Sequence, residues 1–67
     1  MIALQINGKK VELERPIPLV LYLEQIGVSP RTVAVEHNGE IIQRGDFAAT
    51  LLNEGDQVEI VRMVGGG

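Results

Sequence analysis

Apolar and polar residues alternate from the start of the chain. Ile2, Leu4 and Ile6 fall on one side of a period-two pattern, with Ala3, Gln5 and Asn7 on the other. That pattern predicts a half-buried strand. Asn7-Gly8 follows, a strong signal for a tight type I′ turn. Over Lys9 to Leu13 the alternation resumes, Val11 and Leu13 facing one way and Lys10 and Glu12 the other. The first unit is therefore a β-hairpin. Arg15-Pro16-Ile17-Pro18 ends it, because two prolines remove two donors and fix two φ angles. Pro18 suits the first turn of a helix. From Leu19 to Ile26 the period changes: Leu19, Tyr22, Leu23 and Ile26 share one helical face, and Gly27 supplies a C′ stop. Val20 and Leu21 fall off that stripe, either covered by neighbouring loops or left as an exposed apolar spot.

After the connector Val28-Ser29-Pro30-Arg31, Thr32 to His37 reads as a strand with Val33 and Val35 on one face. Asn38-Gly39 is a second hairpin turn, Glu40-Ile41-Ile42 a short strand, and Gln43-Arg44-Gly45 closes that piece. Asp46 is a candidate N-cap for one helical turn, Phe47-Ala48-Ala49. Thr50-Leu51-Leu52 returns apolar side chains to the core, and Asn53-Glu54-Gly55-Asp56 is a turn. Gln57 to Met63 is the last strand, with Val58 and Ile60 opposed to Glu59, Val61 and Met63.

One main helix against a mixed sheet of four to five strands is the simplest way to bury a single apolar stripe. If the last strand pairs in parallel with the first, a right-handed crossover carries the helix between them. The expected fold is α+β, a β-grasp (ubiquitin-like) roll. Its body spans 1–63 and its flexible glycine tail 64–67. The last strand would lie mid-sheet, a rigid root for the tail.

Composition narrows the classes of function. A chain of 67 residues is one small domain of modest stability. It has no Cys and a single His, so neither a disulfide framework nor a zinc site is expected. The net charge of −3 and only two aromatic residues, Tyr22 and Phe47, argue against nucleic-acid binding. The acidic balance suits a basic docking face or simply solubility. Met1-Ile2-Ala3-Leu4-Gln5 has neither a basic leader nor a long apolar core, and no apolar run is long enough to span a bilayer. The expected compartment is the cytosol, with no membrane association.

Conventional catalysis has few candidates. Ser29 is the single Ser and lies in a connector, so a nucleophilic triad is not expected. His37 precedes a turn and is expected to be an exposed surface residue without an orienting partner. Glu12 and Glu14 share one face of an edge strand, where charge serves solubility. The Asn-Gly pairs do not open helices and are not phosphate loops. What remains is Gly65, Gly66 and Gly67. A terminal carboxylate becomes electrophilic once converted to a mixed anhydride such as an acyl-adenylate, and a sulfide or persulfide could then take the acyl group. A narrow passage excludes side chains, a demand that glycine meets. The competing reading is a frayed end or a scar of truncation.

Three segments together carry a resemblance: Val33-Ala34-Val35-Glu36-His37-Asn38-Gly39-Glu40-Ile41-Ile42, Glu54-Gly55-Asp56-Gln57-Val58-Glu59-Ile60-Val61, and Val64-Gly65-Gly66-Gly67. In order and spacing they resemble the ThiS family, sulfur carriers of thiamine (thiazole) biosynthesis within the ubiquitin-like ThiS/MoaD superfamily. The resemblance is weakest from Lys9 to Pro18. It implies that a ThiF-type adenylating enzyme uses ATP to activate the carboxylate of Gly67. Sulfur from a cysteine desulfurase or another donor then gives a thiocarboxylate, and a ThiG-type thiazole synthase accepts it. Gly65 and Gly66 would be the thin delivery segment. The chain would be a carrier, not an enzyme, with no permanently bound cofactor and no metal. Val20, Leu21 and Gln43 depart from the family pattern, away from the tail.

Val61 and Met63, with Val64 beside them, are the candidate docking patch on the sheet face away from the helix; Arg62 and Arg44 are candidate rim contacts. Other functions fit the same body. They are sulfur carriage to molybdopterin or to a thiolated tRNA base, a ubiquitin-like modifier of lysines, or a β-grasp interaction module with an inert tail.

Overall fold

The computed structural model describes residues 1–63; the tail expected at 64–67 lies outside the described residues. The first hairpin forms as its alternation predicts, β1 (Ile2–Ile6) against β2 (Lys9–Leu13). Asn7 and Gly8 take φ of 53° and 77°, the two positive values a type I′ turn requires. A second hairpin joins β4 (Val33–His37) to β5 (Glu40–Ile42) through Asn38 and Gly39 at 52° and 86°. Between the hairpins lie β3 (Ile17–Pro18) and α1 (Leu19–Gln25). After them come β6 (Leu51–Leu52) and β7 (Gln57–Arg62).

The main sheet runs β2-β1-β7-β4-β5. β7 is parallel to β1 and antiparallel to β4, so the last strand lies in the centre of a mixed five-stranded sheet, as a β-grasp requires. One face of that sheet is covered by α1. Leu19, Tyr22 and Leu23 meet Leu4, Ile6, Val33, Val35 and Val58, with Phe47 and Leu52 closing the core from the loop side. Among the described residues no polar or charged residue is buried, and no helix is long and apolar enough to cross a membrane.

The two ends of α1 are closed in different ways. Pro18 stands at the N-cap and no side chain caps the helix. The free N–H groups of Leu19 and Val20 instead donate to the carbonyls of Thr50 (2.7 Å) and Phe47 (3.2 Å). The short β3–β6 pair, Ile17 with Leu52 and Pro18 with Leu51, holds that loop in place. At the other end Gly27, at φ 75°, donates to Glu24 O, and Val28 N donates to Leu23 O. This pair of bonds is a Schellman closure.

Three expectations need correction, and one left open is decided. The helix stops at Gln25, leaving Ile26 as its C-cap and 46% exposed instead of on the buried stripe. Asp46 is not an N-cap: Asp46 N–H donates to Gln43 O and Phe47 N–H to Arg44 O. The helical stretch therefore begins at Arg44 with Gln43 as its cap. Thr32 closes a single turn, Pro30–Thr32, and does not join the strand. Finally, the apolar residues outside the helical stripe divide, Val20 packing against the core and Leu21 remaining exposed.

Candidate functional site

β7 ends at Arg62, one residue before Met63, the last described residue, and its hold on the rest of the molecule fixes that end of the described chain. Two main-chain neighbours flank it. On one side the ladder with β4 runs from His37 opposite Val58 to Val33 opposite Arg62, and Met63 N–H adds one further bond to Thr32 O at 2.8 Å. On the other side the register with β1 covers only Gln5 with Gln57 and Ile6 with Val58. There the side chain of Asn7 extends the pairing. Its Oδ1 accepts from Ile60 N–H at 2.7 Å and its Nδ2 donates to Ile60 O at 3.1 Å. An asparagine side chain thus replaces the next rung of a parallel ladder whose strand has already turned away.

Asn38, in the other I′ turn, fastens the opposite end of β7. Its Oδ1 accepts from Gln57 N–H at 2.9 Å and its Nδ2 donates to Asp56 Oδ1 at 3.1 Å. Asp56 also accepts from Asn53 N–H, and its Oδ2 lies 2.8 Å from His37 Nε2. Burial alone would raise the Asp56 carboxyl. The hydrogen bonds from His37, the Asn53 N–H and Asn38, with the charge of His37, outweigh that and hold it below the usual aspartate value. His37 is therefore half-buried and oriented by a carboxylate, contrary to the expectation of an exposed residue without a partner.

This His–Asp pair does not make a hydrolytic site. Ser29 precedes β4 and His37 ends it, so the strand separates them, and a triad needs direct hydrogen-bond reach. The pair also sits beside the start of β7, while Met63 is at its end, roughly 17 Å away at about 3.3 Å per residue. Its role is to tie turn to turn. The described residues hold no group of three His, Cys, Asp or Glu side chains that could bind a metal ion.

The candidate docking patch lies where alternation predicts. Val61 and Met63 are 58% and 54% exposed on the sheet face opposite α1, with Ala34 across from Val61. Val64 lies outside the described residues, as do Gly65, Gly66 and Gly67. On the same face Glu59 stands directly opposite Glu36, with Ile41 beyond it on β5. Arg62 does not rim this patch: one residue out of phase with Val61 and Met63, it lines a groove on the helix side with Ile60 and Ile26. Arg44 lies in the turn after β5, with β4 between that strand and β7. Sequence reasoning missed the fastening roles of Asn7, Asn38 and Asp56. The two Asn-Gly turns were the available signal, but which strand their amides reach depends on the parallel crossover.

Comparison with known proteins gives a consistent picture. The model of the ThiS family matches residues 3–67. A thiazole synthase of Paramagnetospirillum magneticum is 39% identical over 64 residues, 96% of this chain and 20% of that protein. The chain thus spans about one fifth of the length of the thiazole synthases it matches. The protein ycf40 of Pyropia yezoensis is 36% identical over 66 residues, covering 98% of this chain and 93% of that one. The crystal structure of the thiamine biosynthesis protein ThiS from Geobacter metallireducens superimposes with a TM-score of 0.85 at 33% identity, covering 98% of this chain and 100% of that one.

Proposed function

The chain belongs to the ThiS family, and on that footing we propose that it is a sulfur carrier of thiamine biosynthesis, loaded at the carboxylate of Gly67. A carboxylate does not exchange oxygen for sulfur unaided, because oxide is a poor leaving group. A ThiF-type enzyme would join it to the α-phosphate of ATP, releasing pyrophosphate and leaving an acyl-adenylate. Attack by a sulfur nucleophile on the acyl carbon then expels AMP. Sulfide gives the thiocarboxylate directly, and a desulfurase persulfide gives it after a thiol cleaves the resulting disulfide bond. The chain itself contributes no catalytic group. It is a co-substrate with no resident cofactor, and the cytosol, with its ATP, is the compartment this reading assigns.

The observation that carries the proposal is the hold on β7. The central strand is bonded on both sides and its pairing continues to Met63 N–H. Whatever follows therefore starts from a fixed point. Gly65, Gly66 and Gly67 have no side chains to obstruct a narrow active-site entrance. Exposed Val61 and Met63 beside that point are the surface we assign to the activating enzyme.

The thiazole synthases support the choice of acceptor. They carry within one chain a segment similar to this protein and about four times as much again. Joining a carrier to its acceptor raises their effective concentration without any new contact. We therefore assign a ThiG-type thiazole synthase as the acceptor, ahead of a molybdopterin or tRNA system. The test is intact mass spectrometry after incubation with the ThiF-type enzyme, ATP and a sulfide source. Replacement of one oxygen by one sulfur, localised to Gly67 by fragmentation, is expected. No exchange with an enzyme that loads another ThiS protein refutes the proposal.

A further inference from the structure

The two Asn-Gly turns carry a chemical reactivity as well as a conformation. Asparagine is a labile side chain, most of all before glycine, where no side chain hinders attack by the next main-chain nitrogen. We propose that Asn7 is a site of self-modification by deamidation, gated by its two bonds to Ile60, and that conversion there unfastens the end of β7. The Gly8 main-chain nitrogen, having lost its proton to hydroxide, attacks Asn7 Cγ and forms a C–N bond. The Cγ–Nδ2 bond breaks and ammonia leaves, giving a five-membered succinimide. Water then opens the ring at either carbonyl, to aspartate or to isoaspartate. Water is consumed, ammonia is released, nothing is oxidised or reduced, and the chain gains a negative charge.

Both turns leave their glycine in open space, with no atom within 4 Å of where a β-carbon would lie. What separates them is how each asparagine is held. Asn7 Nδ2, the leaving group, donates to Ile60 O at 3.1 Å, and Oδ1 accepts from Ile60 N–H at 2.7 Å. Both bonds go to one residue near the end of β7, beyond its last rung with β1, Ile6 with Val58. A local opening of that end frees the amide to swing toward Gly8. Asn38 Nδ2 donates instead to the Asp56 carboxylate, and Oδ1 accepts from Gln57 N–H. A bond to a charged acceptor is the stronger kind. Asp56 is in turn tied to His37 and to Asn53 N–H. Freeing Asn38 therefore means dismantling the start of β7 and the turn before it.

The product cannot restore the fastening. In aspartate an oxygen replaces Nδ2, and keeping the old geometry would hold a charged acceptor 3.1 Å from the Ile60 carbonyl oxygen. In isoaspartate the main chain lengthens by a carbon, which a two-residue I′ turn does not absorb. The loss falls on β7 from Ile60 onward, where β1 no longer pairs with it, while the ladder with β4 remains. The inference rests on the turn and the strand alone, not on sulfur carriage.

The test is ageing of the full chain in mildly alkaline buffer beside the capped synthetic peptide Gln-Ile-Asn-Gly-Lys-Lys. Conversion is followed by chromatography and mass spectrometry of the digested protein, which separate the asparagine, aspartate and isoaspartate forms. Asn7 should convert at least about tenfold more slowly than the peptide, because only the opened state reacts. It should convert at least about fivefold faster than Asn38, which a charged acceptor holds. In the aged protein, and in Asn7→Asp, exchange of the Ile60 amide should quicken at least about tenfold while that of Val58 changes little. Conversion of Asn7 at the rate of the peptide would remove the gate. Conversion of Asn38 first or equally fast, or no conversion at either turn, would remove the site. Unchanged Ile60 exchange after conversion would remove the consequence. Each of these results overturns the proposal.

Discussion

Asn7 and Asn38 each serve two purposes with one side chain. Each occupies the first central position of a type I′ turn at positive φ, which asparagine tolerates better than most residues. Each also bonds the main chain of β7, Asn7 at Ile60 and Asn38 at Gln57. Glycine at either position would keep the turn and remove the bond. Asn7→Gly is therefore expected to cost about 1–2 kcal/mol in urea denaturation, and to speed exchange of the Ile60 amide far more than that of Val58. If all β7 amides accelerate equally, Asn7 is not a local fastener. Asp56 yields a prediction in pH. Its folded-state carboxyl titrates below the unfolded value, so its contribution is full above the unfolded pKa and is lost as pH falls through the folded one. Asp56→Asn should accordingly destabilise by about 2 kcal/mol at pH 7. The gap to the parent chain should shrink steadily below about pH 5. A gap that stays constant to acid pH would mean that the carboxylate charge is not what matters.

At the scale of elements, hydrophobic period and turn chemistry carried most of the fold. β1, β2, β4 and β7 are legible because each alternates apolar and polar residues, β5 because it follows the second turn, and both hairpins because Asn-Gly at positive φ leaves little choice. What was not legible depends on distant partners. β3 and β6 are two residues each and exist by pairing with one another. The start of α1 is closed by Thr50 and Phe47 carbonyls about thirty residues away in sequence, where a local reading looks for a side-chain cap. The helix end is the opposite case. Gly27→Ala must hold an L-residue at φ 75°, and is expected to cost about 1–2 kcal/mol, read as a lower melting temperature. The outer face of β7, which we propose for docking, is not arranged for stability. Glu36 and Glu59 are like charges directly opposite, an arrangement that opposes folding. Val61 and Met63 beside them are apolar and exposed. Val61→Asp with Met63→Asp should leave the melting temperature close to parental, because neither side chain is in the core, and should reduce adenylation by a ThiF-type enzyme at least about tenfold. Unchanged adenylation with the fold intact would remove this face from the docking surface.

Across the whole molecule, the folded core and the proposed cargo site occupy separate stretches of chain. The buried core runs from Leu4 to Val58, and the last described contact, Met63 N–H to Thr32 O, is main chain. The site residue proposed for loading lies beyond all of it. Sequence could nominate that residue because the proposed chemistry needs a carboxylate and a run of glycines, which require no tertiary partner to be noticed. Alternation also set Val61 and Met63 on the outer face of the last strand; what sequence could not supply is the fastening of that strand by Asn7 and Asn38, which depends on the parallel crossover. This separation can be tested by deleting Gly66 and Gly67. The shortened chain should melt with the parent and give the same amide spectrum through β7. It should still compete with the full chain for the activating enzyme, since the outer face is unchanged, yet accept no sulfur by intact mass. Loss of competition together with loss of sulfur would make the glycine run the main binding determinant and the sheet face incidental. Sulfur transfer that survives the deletion would detach the cargo from Gly67 altogether.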